Sequence, residues 1–474
     1  MDFASQPPAQ KSLKLEDSSA LRAARHITRR LTAAGYQAFF AGGCVRDLLL
    51  GRAAKDFDVA TSATPSQISA LFPRTIQVGA HFGVILVQET VDDALVSTEV
   101  ATFRNDGVYL DGRRPDAVRF TTDPREDVLR RDFTINGMLL DPTLLRDAPD
   151  RTILVPVEAV KDFVGGQEDL ARGLVRTIGD PDLRFREDKL RMLRGIRFAA
   201  RLNFAIDPAT LRAIQVHAAE ISQVSSERIR DELTRMLTEG RARRAFELLD
   251  ESGLLQQVLP EAMRMHGVEQ PADWHPEGDV WVHTMLLLEK LRPGCSATLA
   301  WGALLHDIGK PATYQVDATG RIRFNGHVEV GVRMAEEILG RLRFSNDETT
   351  QIVALIKHHM RFGDLRAMKE STVRRFLRLP QFNEHLDLHW LDCTSCHGKL
   401  ELYELAKARF EEEPTIAERL PLLVTGRDLI AAGYRPGPTF KQMLEAVEDA
   451  QLEGTISVRE QGMQLVAARF GLSK

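Results

Sequence analysis

Apolar positions after Ser19 recur at helical spacing, with Asp17-Ser18-Ser19 ahead of them and Gly35 behind, which predicts a capped helix over 21–34. A short aromatic run at 36–40 predicts a strand that enters the glycine pair Gly42-Gly43. Residues 45–50 suit a short helix closed by Gly51, and 54–61 a strand. Thr64-Pro65-Ser66 opens a helix that runs to Leu71, and strands are expected over 82–88 and 96–103. Beyond residue 180 the pattern is helical throughout. A turn at Asp180-Pro181 leads into one long helix over 183–203, Ser225 or Ser226 caps the next, and 241–259 continues in the same way. Near the end, Thr425-Gly426 precedes a helix that Gly433 stops, and Pro436-Gly437-Pro438 starts another. The class expected is α+β, strands and helices first and an all-α remainder after them.

The stretch from Gly42 to Thr61 concentrates chemistry. On a strand over 54–61, Asp56 and Asp58 point to the same face. Two parallel carboxylates repel unless a cation lies between them, and a hard ion such as Mg²⁺ takes oxygen ligands and bridges to phosphate. Glycines at 42 and 43 let backbone N–H groups approach an anion, and Arg46 can fork onto phosphate oxygens. Further on, Arg130-Arg131-Asp132-Phe133-Thr134-Ile135-Asn136, read as helix, sets Arg131 one turn from Ile135 and Asp132 one turn from Asn136.

The helix over 183–203 carries a second pattern: Asp188, Arg191, Arg194 and Arg197 follow at intervals of three. Cytosine and adenine both show an amino donor beside a ring-nitrogen acceptor. A carboxylate can accept from the first while a guanidinium donates to the second. Uracil and guanine do not present that pair. An Asp–Arg couple one turn apart therefore accepts C and A and rejects U and G.

GGCVRDLLLGRAAKDFDVAT, RRDFTIN and EDKLR together resemble the class II tRNA nucleotidyltransferase and bacterial poly(A) polymerase family. The resemblance implies a polymerase-β-type head, with a small mixed sheet and helices, followed by all-α neck, body and tail. It implies Asp56 and Asp58 as catalytic ligands of two Mg²⁺ ions, and Glu99, from TEVATFR, as a third carboxylate near the attacking hydroxyl. Gly43, Arg46, Arg131, Asp132 and Asn136 become nucleotide contacts, Asp188 and Arg191 the amino-acid template, and Arg194 and Arg197 partners of the triphosphate. The polar loop at 104–119 resembles the family's flexible loop at full length, against a CC-only enzyme. CCA addition to tRNA from CTP and ATP is favoured; poly(A) polymerase and A-only addition are the alternatives. Sister poly(A) enzymes carry a more basic stretch where this chain has Gly79-Ala80-His81-Phe82-Gly83.

A separate set begins at His283 and continues through His306-Asp307-Ile308-Gly309-Lys310, His327, His358-His359 and Asp392. It resembles the HD phosphohydrolase superfamily, with His283, His306, Asp307 and Asp392 as metal ligands and His327 and His358 as the extra histidines of two-metal members. Mixed imidazole and carboxylate ligands suit a divalent transition metal. An RNA-binding HD hydrolase with an inactive head is the reading from another class.

Composition changes this picture little. At 474 residues, two to four domains are expected. The segments read as a disordered leader (1–18), a head (19–145), a neck and body (146–265), an HD domain (266–410) and a tail (411–474). A net charge of -5 excludes a globally basic nucleic-acid binder but not a local basic groove. Four scattered cysteines, with a single CxxC at 393–396, favour reduced thiols in the cytoplasm, and no apolar run is long enough to span a bilayer. No membrane partner is expected.

Overall fold

Helix α1 (Ser19–Ala33) starts where the Ser18 side chain accepts the backbone N–H of Leu21, and it buries Leu21, Ala24, Ile27 and Leu31 against a sheet. The computed structural model describes residues 13–79, 83–106, 118–149, 152–272, 275–412 and 421–471. Its contacts divide the chain into two compact units, Met1–Pro260 and Glu261–Lys474. The segment expected as head (19–145) lies in the first unit, as does that expected as neck and body (146–265) except for its last five residues.

Seven strands form the sheet of the first unit: β1 (Ala38–Ala41), β2 (Asp58–Thr61), β3 (Thr75–Gly79), β4 (Val84–Val91), β5 (Ala94–Thr102), β6 (Met138–Leu140) and β7 (Val160–Asp162). They lie in the order β7-β6-β1-β2-β5-β4-β3. Neighbours are antiparallel except β2 and β5, which run parallel with Val59 opposite Val100. The mixed sheet expected of the head is present. The strand expected over 54–61 starts only at Asp58, so Asp56 precedes it and alternation along a strand does not align the two carboxylates.

One further expectation is corrected here. The leader expected to be disordered over 1–18 contains a strand: Leu13–Glu16 pairs antiparallel with Thr152–Val155, whose other edge takes Arg146–Asp147. Residues 1–12 lie outside the described residues. The polar loop at 104–119 is described only at its ends, where Arg104–Asp106 pairs with Val118–Phe120. Its centre, 107–117, lies outside the described residues, as do 80–82 of the stretch compared with poly(A) enzymes.

This unit also contains helices α2 (Gly43–Leu49), α3 (Pro124–Leu129), α4 (Pro181–Glu187), α5 (Leu190–Leu202) and α6 (Ser226–Thr238). The long helix expected over 183–203 is thus two. Asp188 is extended, at φ -145° and ψ 105°, and its Oδ1 accepts the backbone N–H of Leu190 at 3.1 Å. A short acidic side chain that bonds its own backbone competes with helix continuation, which breaks the run here.

The second unit is helical, with one short hairpin. Helices α7 (Val280–Lys290), α8 (Ala297–Leu305), α9 (His327–Arg341), α10 (Asn346–His358) and α11 (Phe382–Ser395) surround the histidine cluster. The tail helices α12 (Gly426–Ala431), α13 (Pro438–Leu452) and α14 (Arg459–Phe470) close over Leu429, Met443, Val447 and Val466. Among the described residues no helix is long and apolar enough to cross a membrane.

Candidate active site

The chain leaves β1 through Gly42, at φ +76°, a backbone state that favours glycine. A Cβ there would lie 3.6 Å from Arg131 Nη1, and one on Gly43 would lie 3.5 Å from Arg46 Nη2. This turn forms one wall of a cleft of about 590 Å³. Asp58 and Glu99 come from the parallel strands β2 and β5 and both line it. Asp56 does not line the cleft, and its side chain is exposed. Its charge still acts on Asp58. Crowding by protein, then Glu99 and Asp56, push the Asp58 carboxyl up to about 6, with Arg131 opposing. Acidic groups pressed together in this way, open to a cavity, fit a divalent cation.

Much of the remaining lining is cationic. Arg130, Arg131, Arg191, Arg194, Arg201 and Arg235 all reach it. Most are tethered. Asp127, buried on α3, accepts Arg130 Nη2 at 2.6 Å and Arg131 Nη2 at 2.9 Å. Arg46 is buried in the wall, donating from Nε to Asp47 at 2.8 Å and from Nη1 to Asn136 at 2.8 Å. It lines the cleft as a braced group rather than a free fork. The segment around Arg131 is not the helix expected: α3 ends at Leu129, and only Thr134–Asn136 forms a 3₁₀ turn. Asp132 and Asn136 still meet, at 3.4 Å.

Asp132 is buried and takes two donors from Arg194, at 2.8 and 2.6 Å. Burial would raise its pKa, but Arg194 outweighs that and holds it at about 2, below the ordinary 3.8. A carboxyl lowered on folding stabilises the native state fully above its unfolded pKa, and the gain is lost as pH falls from 3.8 towards 2. Asp132→Asn is therefore expected to cost this unit about 2 kcal/mol at neutral pH. The variant's urea midpoint should also fall less steeply than the wild type's between pH 5 and 2.5.

Asp188 and Arg191 both line the same cleft as Asp58 and Glu99. Each already has a protein partner. Asp188 Oδ2 accepts from Arg228 Nη2 at 2.9 Å, and Arg191 Nη1 donates to Glu187 Oε2 at 2.5 Å. Arg197, expected beside Arg194, does not line the cleft. It is 5% exposed and donates to Glu232 Oε2 at 2.7 Å. Helical geometry gives the reason: at about 100° per residue, three steps turn the side chain about 60° off its row, whereas seven steps nearly restore it. Arg201, seven after Arg194, is the residue that continues the row. The spacing Asp127–Arg130–Arg131, at i+3 and i+4, would have revealed the Asp127 tether. Phe198 and Arg235 carried no signal in the sequence that separates them from ordinary helix residues.

In the second unit the side chains of His283, His306, Asp307, His327, His359 and Asp392 converge. Asp307 Oδ2 lies 3.2 Å from His306 Nε2, and Asp307 Oδ1 lies 3.9 Å from His327 Nε2 and 3.8 Å from His359 Nε2. His283 Nε2 lies 3.1 Å from Asp392 Oδ1. The inward histidine of the 358–359 pair is His359, not His358 as expected. Helix α10 ends at His358, and the 3₁₀ turn that starts at His359 carries that ring inward. His358 packs near Phe376 and His385 instead. Three groups of side chains among the described residues, His283–His306–Asp307, Asp307–His327–His359 and, on the outer nitrogen of His283, His275–Glu277–His283, are close enough to hold a metal ion. His306 Nε2 and Asp307 Oδ1 are buried and have no hydrogen-bond partner, so the donor set fits a cation. Burial would raise Asp307, but His306 and Lys310 hold it well below the usual carboxylate range. Gly309 is required for packing, since a Cβ there would sit 2.2 Å from the His327 carbonyl.

Three comparisons bear on these sites. The chain matches the family model for the poly A polymerase head domain over residues 38–176 and that for the probable RNA and SrmB-binding site of polymerase A over 203–265. The HD domain model matches over 279–393. A CCA-adding enzyme of Geobacillus sp. (strain WCH70) is 33% identical over 434 residues, 91% of this chain and 92% of the relative. One from Geobacillus thermodenitrificans is 38% identical over 284 residues, 60% of this chain and 62% of that relative. The crystal structure of Bacillus stearothermophilus CCA-adding enzyme in complex with CTP superposes with a TM-score of 0.69 at 26% identity, covering 95% of this chain and 98% of the other. Fold and cleft define a nucleotidyltransferase with an appended HD domain. The chain belongs to the CCA-adding enzyme family.

Proposed function

We propose that this protein adds CMP and AMP, from CTP and ATP, to the 3′ end of tRNA and releases pyrophosphate. One observation carries the reading: a single cleft joins the acidic pair Asp58 and Glu99 to the base-reading pair Asp188 and Arg191. Asp58 and, from two residues earlier, Asp56, whose charge already acts on Asp58, would hold two Mg²⁺ ions. Such ions, when bound, lower the pKa of the RNA 3′-hydroxyl and neutralise charge on the leaving pyrophosphate. Glu99 stands next to Asp58, where the hydroxyl is to lose its proton. Backbone N–H groups at Gly43 and the guanidinium of Arg131 receive triphosphate oxygens, with Arg46, Asp132 and Asn136 bracing that wall. Arg194 keeps its row beside them, and Asp188 accepts from the base amino group while Arg191 donates to the ring nitrogen. The RNA is gripped by shape and phosphate contacts. Four unpaired cysteines suit a reducing cytoplasm.

The test is to incubate the protein with tRNA lacking CCA, with CTP, ATP or both, and to size the products. Three added nucleotides in the joint reaction are expected. A long A tail, or a single A added only to tRNA ending in CC, overturns the assignment in favour of a poly(A) or A-adding enzyme.

The buried His306 Nε2 and Asp307 Oδ1, neither of which makes a hydrogen bond, favour a second activity, hydrolysis of a phosphoester with a bound transition metal such as Mn²⁺, Fe²⁺, Ni²⁺ or Zn²⁺. His306→Ala is expected to abolish metal-dependent phosphate release and to leave CCA addition unchanged. Phosphate release that survives the substitution would remove this activity from the site.

A further inference from the structure

Four imidazoles point Nε2 into the metal cluster, and each must keep its proton on Nδ1 to do so. Three are fixed by the main chain. The Nδ1 of His306, His327 and His359 lies 2.9, 2.9 and 2.7 Å from the carbonyl oxygens of Ala303, Phe324 and Ile356, each three residues earlier. A carbonyl only accepts, so these contacts set the tautomer. His283 sits inside α7, where the carbonyl three residues back already takes the hydroxyl of Thr284 at 2.8 Å. Its Nδ1 instead lies 2.6 Å from Glu277 Oε1, which also takes His275 Nδ1 at 2.9 Å. The side chain of Glu277 is 8% exposed beside a fully buried His283, and its Oε2 has no hydrogen-bond partner.

We propose that Glu277 is the positioning residue of this metal site: it holds His283 in the tautomer and rotation that direct Nε2 at Asp307 and Asp392. The inference rests on the reading of the HD cluster as a metal site. A carboxylate on the far nitrogen of a ligating imidazole also raises its basicity, and loss of such a partner typically weakens metal binding about 10- to 100-fold. His275, sharing the same oxygen, keeps Glu277 turned inward.

The test uses the full chain, stripped with a chelator and then given excess Mg²⁺ to occupy oxygen-only sites. It is titrated with Co²⁺, read by calorimetry and by the visible absorption of the bound ion. Glu277→Ala is expected to weaken Co²⁺ binding about 10- to 100-fold and to alter the spectrum. Glu277→Gln, which keeps an acceptor oxygen, is expected to recover much of the loss. Nucleotidyl transfer serves as the folding control and should not change; if the alanine protein does not fold, the glutamine protein carries the comparison. Wild-type affinity and spectrum in both variants overturn the positioning role alone. A wild-type protein that binds no more Co²⁺ than His306→Ala overturns the metal-site reading and this role with it.

Discussion

Asp58→Ala is expected to abolish nucleotide addition, with a rate loss on the order of a thousandfold or more. Several kcal/mol of charge stabilisation at the reacting phosphate depend on cations held by this carboxylate, and each 1.4 kcal/mol is about tenfold. The side chain sits at the first residue of β2, opens to the cleft and packs beside Glu99, so its removal disturbs no core contact. Single-nucleotide incorporation into tRNA at saturating CTP, with an unchanged melting temperature, is the measurement. Retention of the main activity in this variant would instead support an RNA-binding hydrolase whose head is inert.

Asp188→Ala is expected to act on choice rather than on chemistry. Wild-type protein should reject UTP and GTP; the variant should lose about 10- to 100-fold of that discrimination, the worth of one hydrogen bond to a charged group in a partly closed site. The contacts of Asp188 add a complication that the assay can read. Its Oδ2 holds Arg228 on α6, and Arg191 is held by Glu187. Both template groups must share or exchange these partners when a base arrives. Asp188→Asn, which keeps an acceptor oxygen but not the charge, should fall between alanine and wild type. The ratio of kcat/KM for CTP over UTP is the readout, and an unchanged ratio in the alanine variant rejects the template role.

Local chemistry was legible where it depends on neighbours in sequence. The cap at Ser18, the glycine turn and the strands around Asp58 and Glu99 all follow from short-range rules. Two kinds of feature were not. The first is phase: intervals of three along α5 suggested a row through Arg197, but helical rotation takes that group to Glu232 and brings Arg201 round instead. The same applies to His358 and His359, where the helix end decides which ring turns inward. The second is partnership across the fold. Arg46 with Asn136, or Asp132 with Arg194, are 90 and 62 residues apart, and nothing local marks them as pairs. These distant tethers link the basic groups of the cleft to fixed partners elsewhere in the unit.

The small strand Leu13–Glu16 has a consequence for handling the molecule. It covers one side of Thr152–Val155, so a chain shortened to begin at Asp17 would leave that strand with a bare row of amide and carbonyl groups. Such a row recruits the same row from another copy. Shortened protein should therefore self-associate with rising concentration, while its transfer chemistry, on the far larger sheet, survives.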